Sequence, residues 1–369
     1  MKVLILTTVL APYRIDYFNE LGKFCDLTVC FETKADSSRD ENWYKKEFHN
    51  FKAVFIKGWD RSQSSIKKEI LKHVNKNEFD IAVAFEYHTP TAMLFMLANI
   101  IKGRPYCINV DGGFVSDNMA KTAVKRFFMK RAAACLAGGD MAARYCTHYG
   151  ASAEHVFIHN FTSLRDLDII EKELSYHEKL LLKAELGIPP AKTAIAIGQF
   201  IHRKGFDVLI KAWKSINSDC NLLIIGGGEK EKEYRELIKE LQLNNIMILG
   251  FKKKDELKKY YMASDIFVLP TREDIWGLVI NEAMACGLPV ITTDKCVAGL
   301  ELIKNDENGY IVSVEDVKML SQKISKLLQD DHIREKMSAN NLEKIRSYTI
   351  ENMAKVNHET FVSILKGKK

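Results

Sequence analysis

The sequence predicts an α/β protein of two domains, each wound around a parallel sheet. Short apolar runs alternate with helical patterns from one end to the other, the arrangement that gives parallel sheets with helical crossovers. At 369 residues the chain is longer than one ordinary domain. A charged helical stretch, Ser163 to Leu186, closes on Gly187-Ile188-Pro189-Pro190 and interrupts the alternation near its middle.

Val3–Thr8 opens the chain as a strand, because Val3-Leu4-Ile5-Leu6 is too short for the core of a signal peptide. Leu27–Phe31, Ala53–Ile56, Ile81–Phe85, Tyr106–Val110, Cys135–Ala137 and Val156–Ile158 follow, each apolar and of strand length. Continuous rather than alternating hydrophobicity marks strands buried on both faces. The second half repeats the pattern with Ala194–Gln199, Leu222–Ile225, Ile246–Leu249, Ile266–Leu269, Val290–Thr292 and Tyr310–Val312. Between them lie 3.6-period stretches such as Tyr234, Leu237, Ile238 and Leu241. Ile350 to Leu365 reads as a final helix. The expected boundaries are 1–165 for the first domain, 166–185 for a linker, 186–350 for the second domain and 351–369 for the terminal helix.

Hydrophobic content of 47% with 28% charged residues excludes a disordered or fibrous chain. No apolar run approaches the roughly 20 residues of a spanning helix. The 8 cysteines stand singly without a C-x-x-C pair, which argues against a zinc site or disulfide framework and fits a reduced, cytoplasmic setting. A net charge of +6 is too modest to demonstrate a nucleic-acid or membrane partner, and no nucleic-acid partner is expected. Lys121 to Arg131 interleaves cations with Phe127 and Phe128. Its cations surround the helix axis, so a solvated helix and a peripheral contact with an anionic membrane both remain open.

The most informative stretch is Asp265 to Asp294. An apolar strand runs into a polar loop, then a short helix with Gly277 at its start and Gly287 at its end, then a second strand. Asp274 and Glu282 are eight residues apart. If the helix extends back into the loop, they lie roughly 12 Å apart along its axis, near one face. The free N–H groups at Gly277 and Leu278, with the positive end of the helix dipole, suit a diphosphate. A carboxylate on either side can accept hydroxyls of a ribose and of a sugar. These are the parts that a nucleotide-sugar requires.

This segment resembles the signature of the family 4 retaining glycosyltransferases of the GT-B fold, which have two Rossmann-like domains and an active site in the cleft between them. The usual form is Glu-x-Phe-Gly, four residues, then Glu-Ala-x-Ala-x-Gly-x-Pro-Val. Here it stands as Asp274-Ile275-Trp276-Gly277, Glu282-Ala283-Met284-Ala285, Gly287, Pro289 and Val290. Asp replaces the first Glu and Trp replaces Phe. Ile197 to Asp207 resembles the family's Gly-Arg-x…Lys-Gly element, with Gln199 where Arg is commoner. The resemblance implies that Lys204 holds phosphate, with Arg203 beside it in place of the missing arginine. Both follow a strand end, where ligands of parallel sheets bind. Gly226-Gly227-Gly228 also follows a strand, and Gly227 is a candidate nucleotide contact as well as a tight turn.

In the first domain, Thr7 to Arg14 resembles the Pro-Tyr-Arg variant of some capsule and exopolysaccharide transferases, which makes Arg14 a candidate for phosphate or acceptor. Asp111 stands where the family often carries the histidine that helps to hold the transferred sugar, and His88 on a neighbouring strand end can supply what Asp111 lacks. The resemblance implies transfer of a hexosyl unit, with retention, from a nucleotide diphosphate sugar, expected to be a UDP-sugar, to a hydroxyl of a glycan or lipid-linked glycan. Asp111, Lys204 and Asp274 are the expected catalytic positions. No metal and no further cofactor are expected, and Asp166-Leu167-Asp168, away from any strand end, is not read as a metal site. An epimerase of the same fold and a non-catalytic nucleotide-sugar-binding subunit are the alternatives.

Overall fold

The computed structural model describes the chain except residues 9, 34–46, 59–64, 76–77, 117, 217–218 and 368–369. Val9 of the opening turn therefore lies outside the described residues. The chain divides into two units, Met1–Ser163 with Tyr348–Lys369, and Leu164–Ser347.

The first unit contains β1 (Lys2–Thr7), α1 (Pro12–Leu21), β2 (Asp26–Phe31), β3 (Lys52–Phe55), α2 (Ile70–Asn75), β4 (Ile81–Ala84) and α3 (Pro90–Ile101). It continues through β5 (Tyr106–Val110), α4 (Met119–Met129), β6 (Ala134–Ala137), α5 (Asp140–His148) and β7 (Val156–Ile158). The second unit contains α6 (Tyr176–Glu185), β8 (Lys192–Gln199), α7 (Phe206–Trp213), β9 (Cys220–Gly227), α8 (Glu231–Glu240), β10 (Ile246–Leu249) and α9 (Lys254–Ala263). After these come β11 (Ile266–Leu269), α10 (Leu278–Ala285), β12 (Val290–Thr293), α11 (Val297–Leu302), β13 (Gly309–Val312), α12 (Val317–Gln329) and α13 (Asp331–Ile345). The last helix, α14 (Ile350–Lys366), belongs to the first unit and packs on α1.

Both sheets are parallel. Their strand orders are β3-β2-β1-β4-β5-β6-β7 and β10-β9-β8-β11-β12-β13. The central strands β1, β4, β5, β8 and β11 carry fully buried apolar side chains, and helices cover them to form one core per unit. In each sheet the winding reverses once, between β1 and β4 and between β8 and β11. Crossovers leave such a point on opposite faces and open a crevice beyond the carboxyl ends of the two strands.

The expected linker at 166–185 is corrected by the structure, which makes this segment part of the second unit. Lys179 Nζ donates to Ser264 O at 2.9 Å and to Glu173 Oε1 at 2.5 Å. Lys183 Nζ donates to Asp265 Oδ2 at 3.1 Å and to Ala191 O at 2.6 Å. Burial alone would raise the Asp265 carboxyl, but Lys179 and Lys183 hold it below the usual carboxylate range. Removing one partner of a buried pair costs roughly 3–5 kcal/mol, so α6 is fastened to the sheet rather than spanning free.

Candidate functional site

The second unit places its charged residues at its reversal point. After β8 the chain makes a single 3-10 turn, His202–Lys204, and Gly205 at φ 68° leads into α7. A side chain at Gly205 would put its Cβ 2.1 Å from Pro270 O, so this turn lies directly on the loop that follows β11. Lys204 Nζ consequently reaches Asp274 Oδ2 at 2.5 Å, and Arg203 lies 3.5 Å from Asp274 Oδ1. Arg203, exposed at the surface, also donates to Glu273 O at 2.7 Å. The stem of Lys204 runs close to Gly198.

Asp274 is not on the helix. The expectation that α10 extends back to it fails because Gly277 adopts φ 101°, a left-handed conformation that ends helical geometry there. Asp274 is held instead by a short parallel bridge to Cys296: its N–H donates to Lys295 O at 2.8 Å, and its carbonyl accepts from Val297 N at 3.0 Å. Trp276 is buried, with Nε1 donating to Asn281 Oδ1 at 2.9 Å, which fixes the loop to the first turn of α10. No side-chain cap bonds to the N-terminus of α10, which starts at half-buried Leu278 after Gly277.

Glu282 lies one turn into α10, apart from the Lys204 pair. Its Oε2 accepts from Tyr261 Oη at 3.1 Å, beside a small cavity also lined by Leu257 and Lys258. Burial, then the Glu282 charge, raises the Tyr261 phenol well above its usual pKa, so it remains a donor to this carboxylate. Gly227 adjoins open space, whereas its neighbours Gly226 and Gly228 press on Gly198 and Phe200. The close packing of this segment therefore falls on Gly226 and Gly228.

The first unit assembles a second cluster at its own reversal point. Arg14, at the start of α1, pairs with Glu86 after β4, donates to Thr7 Oγ1 at 2.7 Å and reaches Asp111 Oδ2, after β5, at 3.1 Å. Asn109 Nδ2 donates to Asp111 Oδ1 at 2.6 Å, and Glu86 Oε2 accepts from Thr8 N at 2.8 Å. Burial opposes the Arg14 charge, but Glu86, Tyr13 and Asp111 together raise its pKa well above the usual value. The Arg14 guanidinium thus bridges two carboxylates that follow neighbouring strands. His88 is not brought into this cluster. It is exposed, with its ring edge-on to Tyr87.

Sequence reasoning noted Glu86 only as one ionisable group at a strand end, without a role, and missed His159. Glu86 sits just past a strand end, a signal that was legible. His159 is buried at the end of β7, and nothing local announces that its Nδ1 lies 3.1 Å from Asn357 Oδ1 on α14. Asn357 Nδ2 in turn donates to Tyr17 Oη at 2.6 Å. Among the described residues no group of three or more His, Cys, Asp or Glu is placed to hold a metal ion, and no helix is long and apolar enough to cross a membrane. Asp168 of the D-x-D sequence caps Arg165 N and pairs with Lys254 at 2.6 Å.

Two parallel sheets with reversal-point clusters define the class of the fold, which is GT-B. The structure is similar to that of Anabaena Alr3699/HepE in complex with UDP and glucose, with a TM-score of 0.75 and 19% identity over 98% of this chain and 100% of that one. Residues 179–344, most of the second unit, match the family model described as Glycosyl transferases group 1. An uncharacterized glycosyltransferase of Haemophilus influenzae is 30% identical over 176 residues, 47% of this chain and 49% of the relative. The capsular polysaccharide biosynthesis glycosyltransferase CapM of Staphylococcus aureus is 30% identical over 154 residues, 41% of this chain and 40% of the relative. The matched part of the chain spans about half or less of these curated relatives. Together the matches show the GT-B fold and, over most of the second unit, a likeness to glycosyltransferases of group 1.

Proposed function

We propose that the protein is a retaining glycosyltransferase. It moves a hexosyl unit from a nucleotide diphosphate sugar to a hydroxyl of a glycan or lipid-linked glycan in surface polysaccharide synthesis. The observation that carries this reading is the Lys204–Asp274 contact at 2.5 Å, at the reversal point and on the loop that leads to the uncapped start of α10. A cation and free helix N–H groups suit a leaving diphosphate, and a carboxylate beside them suits sugar hydroxyls. The capsular polysaccharide relative and the UDP and glucose in the Anabaena structure support the same donor class and pathway class.

In this mechanism no enzyme nucleophile is used. Lys204, Arg203 and the N–H groups at Leu278 stabilise the charge that develops on the diphosphate as the sugar gains oxocarbenium character. A departing phosphate oxygen takes the acceptor proton, so that bond making and breaking occur on one face of the sugar. Glu282 accepts the ribose hydroxyls, Gly227 allows close approach of the nucleotide, and Asp274 and Asp111 accept sugar hydroxyls. Peripheral contact with an anionic membrane belongs to the proposal through α4. That helix exposes Met119, Val124 and Phe127 beside Lys121 and Arg126, and Lys130 and Arg131 follow it. Salt-sensitive co-sedimentation with phosphatidylserine vesicles checks that contact.

Thermal shift against a panel of UDP- and GDP-sugars identifies the donor. Saturating ligand at 100 times Kd stabilises by about 2.7 kcal/mol. With the donor in hand, Lys204→Ala should slow turnover by about 3–4 kcal/mol of lost electrostatic stabilisation. Near-normal turnover in that variant would remove Lys204 from the diphosphate site.

A further inference from the structure

Arg272 stands between the two loops that meet at the reversal point of the second unit. Its side chain is largely covered, at 15% exposure, and its guanidinium touches three partners. Two parallel bonds reach Asp207 on the first turn of α7, from Nη1 to Oδ1 at 2.9 Å and from Nη2 to Oδ2 at 2.7 Å. Nη1 also donates to His202 O at 2.6 Å, and Nε pairs with Glu315 after β13.

The backbone around it repeats the attachment. Arg272 N donates to Arg203 O at 2.8 Å, and Thr271 Oγ1 donates to the same oxygen at 2.9 Å. Apart from the Glu315 pair, every one of these bonds ends on the turn that carries Arg203 and Lys204 or on Asp207 just after it. Only a planar guanidinium can make a two-point bond to a carboxylate, a bond to a carbonyl and a third to another carboxylate without changing rotamer. Burial would raise the Asp207 carboxyl, but Arg272 holds it below the usual range, so the fork remains ionic at neutral pH.

We propose that Arg272 is a positioning residue for the transfer reaction, locking the 202–205 turn onto the 270–274 loop so that Lys204 and Arg203 are held where the diphosphate binds. This rests on the donor-site reading above. Arg272 itself is engaged by protein oxygens and acts through Lys204 and Arg203 rather than on the substrate.

The test compares UDP with UMP, and GDP with GMP, by calorimetry on wild type, Arg272→Ala, Arg272→Lys and Asp207→Asn. Lysine retains the charge but cannot form the fork. Both Arg272 variants and Asp207→Asn should therefore weaken diphosphate binding about tenfold while monophosphate binding stays within about twofold, and kcat should fall more than KM rises. Glu315→Gln, which leaves the Asp207 and His202 bonds intact, should lose much less. Diphosphate affinity equal to wild type in Arg272→Ala, full rescue by lysine, or equal loss of mono- and diphosphate would each overturn the positioning role. A wild type that binds neither UDP nor GDP removes the donor-site reading itself, and this role with it. Circular dichroism melts separate an unfolded variant from a folded one, and Arg272→Lys, the milder change, keeps the comparison available if Arg272→Ala does not fold.

Discussion

Acidification should destabilise the first unit through His159. The imidazole is 1% exposed, its Nδ1 faces the Asn357 carbonyl oxygen, and its Nε2 is buried without a hydrogen-bond partner. With Nδ1 donating to Asn357, charging the ring would put a second N–H at Nε2, where no acceptor waits. Burial accordingly lowers the His159 pKa from 6.5 to about 4, against the smaller upward pulls of Asp111 and Asn357. The unfolded chain therefore binds more protons than the folded one between those values, and stability falls as pH drops through that window. At about 1.36 kcal/mol per pH unit, the fall from 6.5 to about 4 amounts to roughly 3 kcal/mol, present above pH 6.5 and lost by pH 4. Because Asn357 sits on α14 and bonds to Tyr17, the loss should appear first as release of α14 from α1. The assay is a histidine NMR titration with hydrogen exchange on α14 amides, for wild type and His159→Gln. A His159 resonance titrating near 6.5, or the same pH slope of α14 protection in both proteins, would refute the reasoning.

Gly205→Ala should destabilise the second unit by at least 1–2 kcal/mol, the cost of a left-handed non-glycine residue, since its Cβ would also meet Pro270 O. Urea denaturation measures this, and a variant as stable as wild type would mean that the two loops separate freely. Asp111→Ala should lower sugar transfer strongly and leave nucleotide affinity unchanged, because Lys204 and Glu282 belong to the other unit. Steady-state transfer assays beside calorimetry with UDP separate these effects, and transfer at the wild-type rate would reduce Asp111 to a partner of Arg14.

The strands were legible in the sequence because a strand buried on both faces must be apolar throughout. Runs such as Ile81 to Phe85 and Ile266 to Leu269 have no other economical reading. The stretch from Gly277 to Gly287 was legible too, since a glycine-bounded helix between two such strands is a local pattern. Loop geometry was not. The eight-position spacing of Asp274 and Glu282 suggested one helical face, but φ at Gly277 turns the chain, at a point where an added Cβ would meet Cys296 and Leu269. The sequence also presented Lys179 and Lys183 as members of a charged linker. Only the fold shows Asp265 drawing both into the second unit.

What the sequence determined by itself was everything set by local periodicity and motif: the α/β class, the strands and the positions of Lys204, Asp274 and Glu282 after or between them. What the tertiary structure alone decided was which charges find one another. Arg14 bonds to Glu86, 72 positions away, and Lys204 to Asp274, 70 positions away. Parallel crossovers return the chain to the same sheet edge only after a whole strand–helix unit, so partners at that edge are far apart in sequence and no short-range pattern records their pairing.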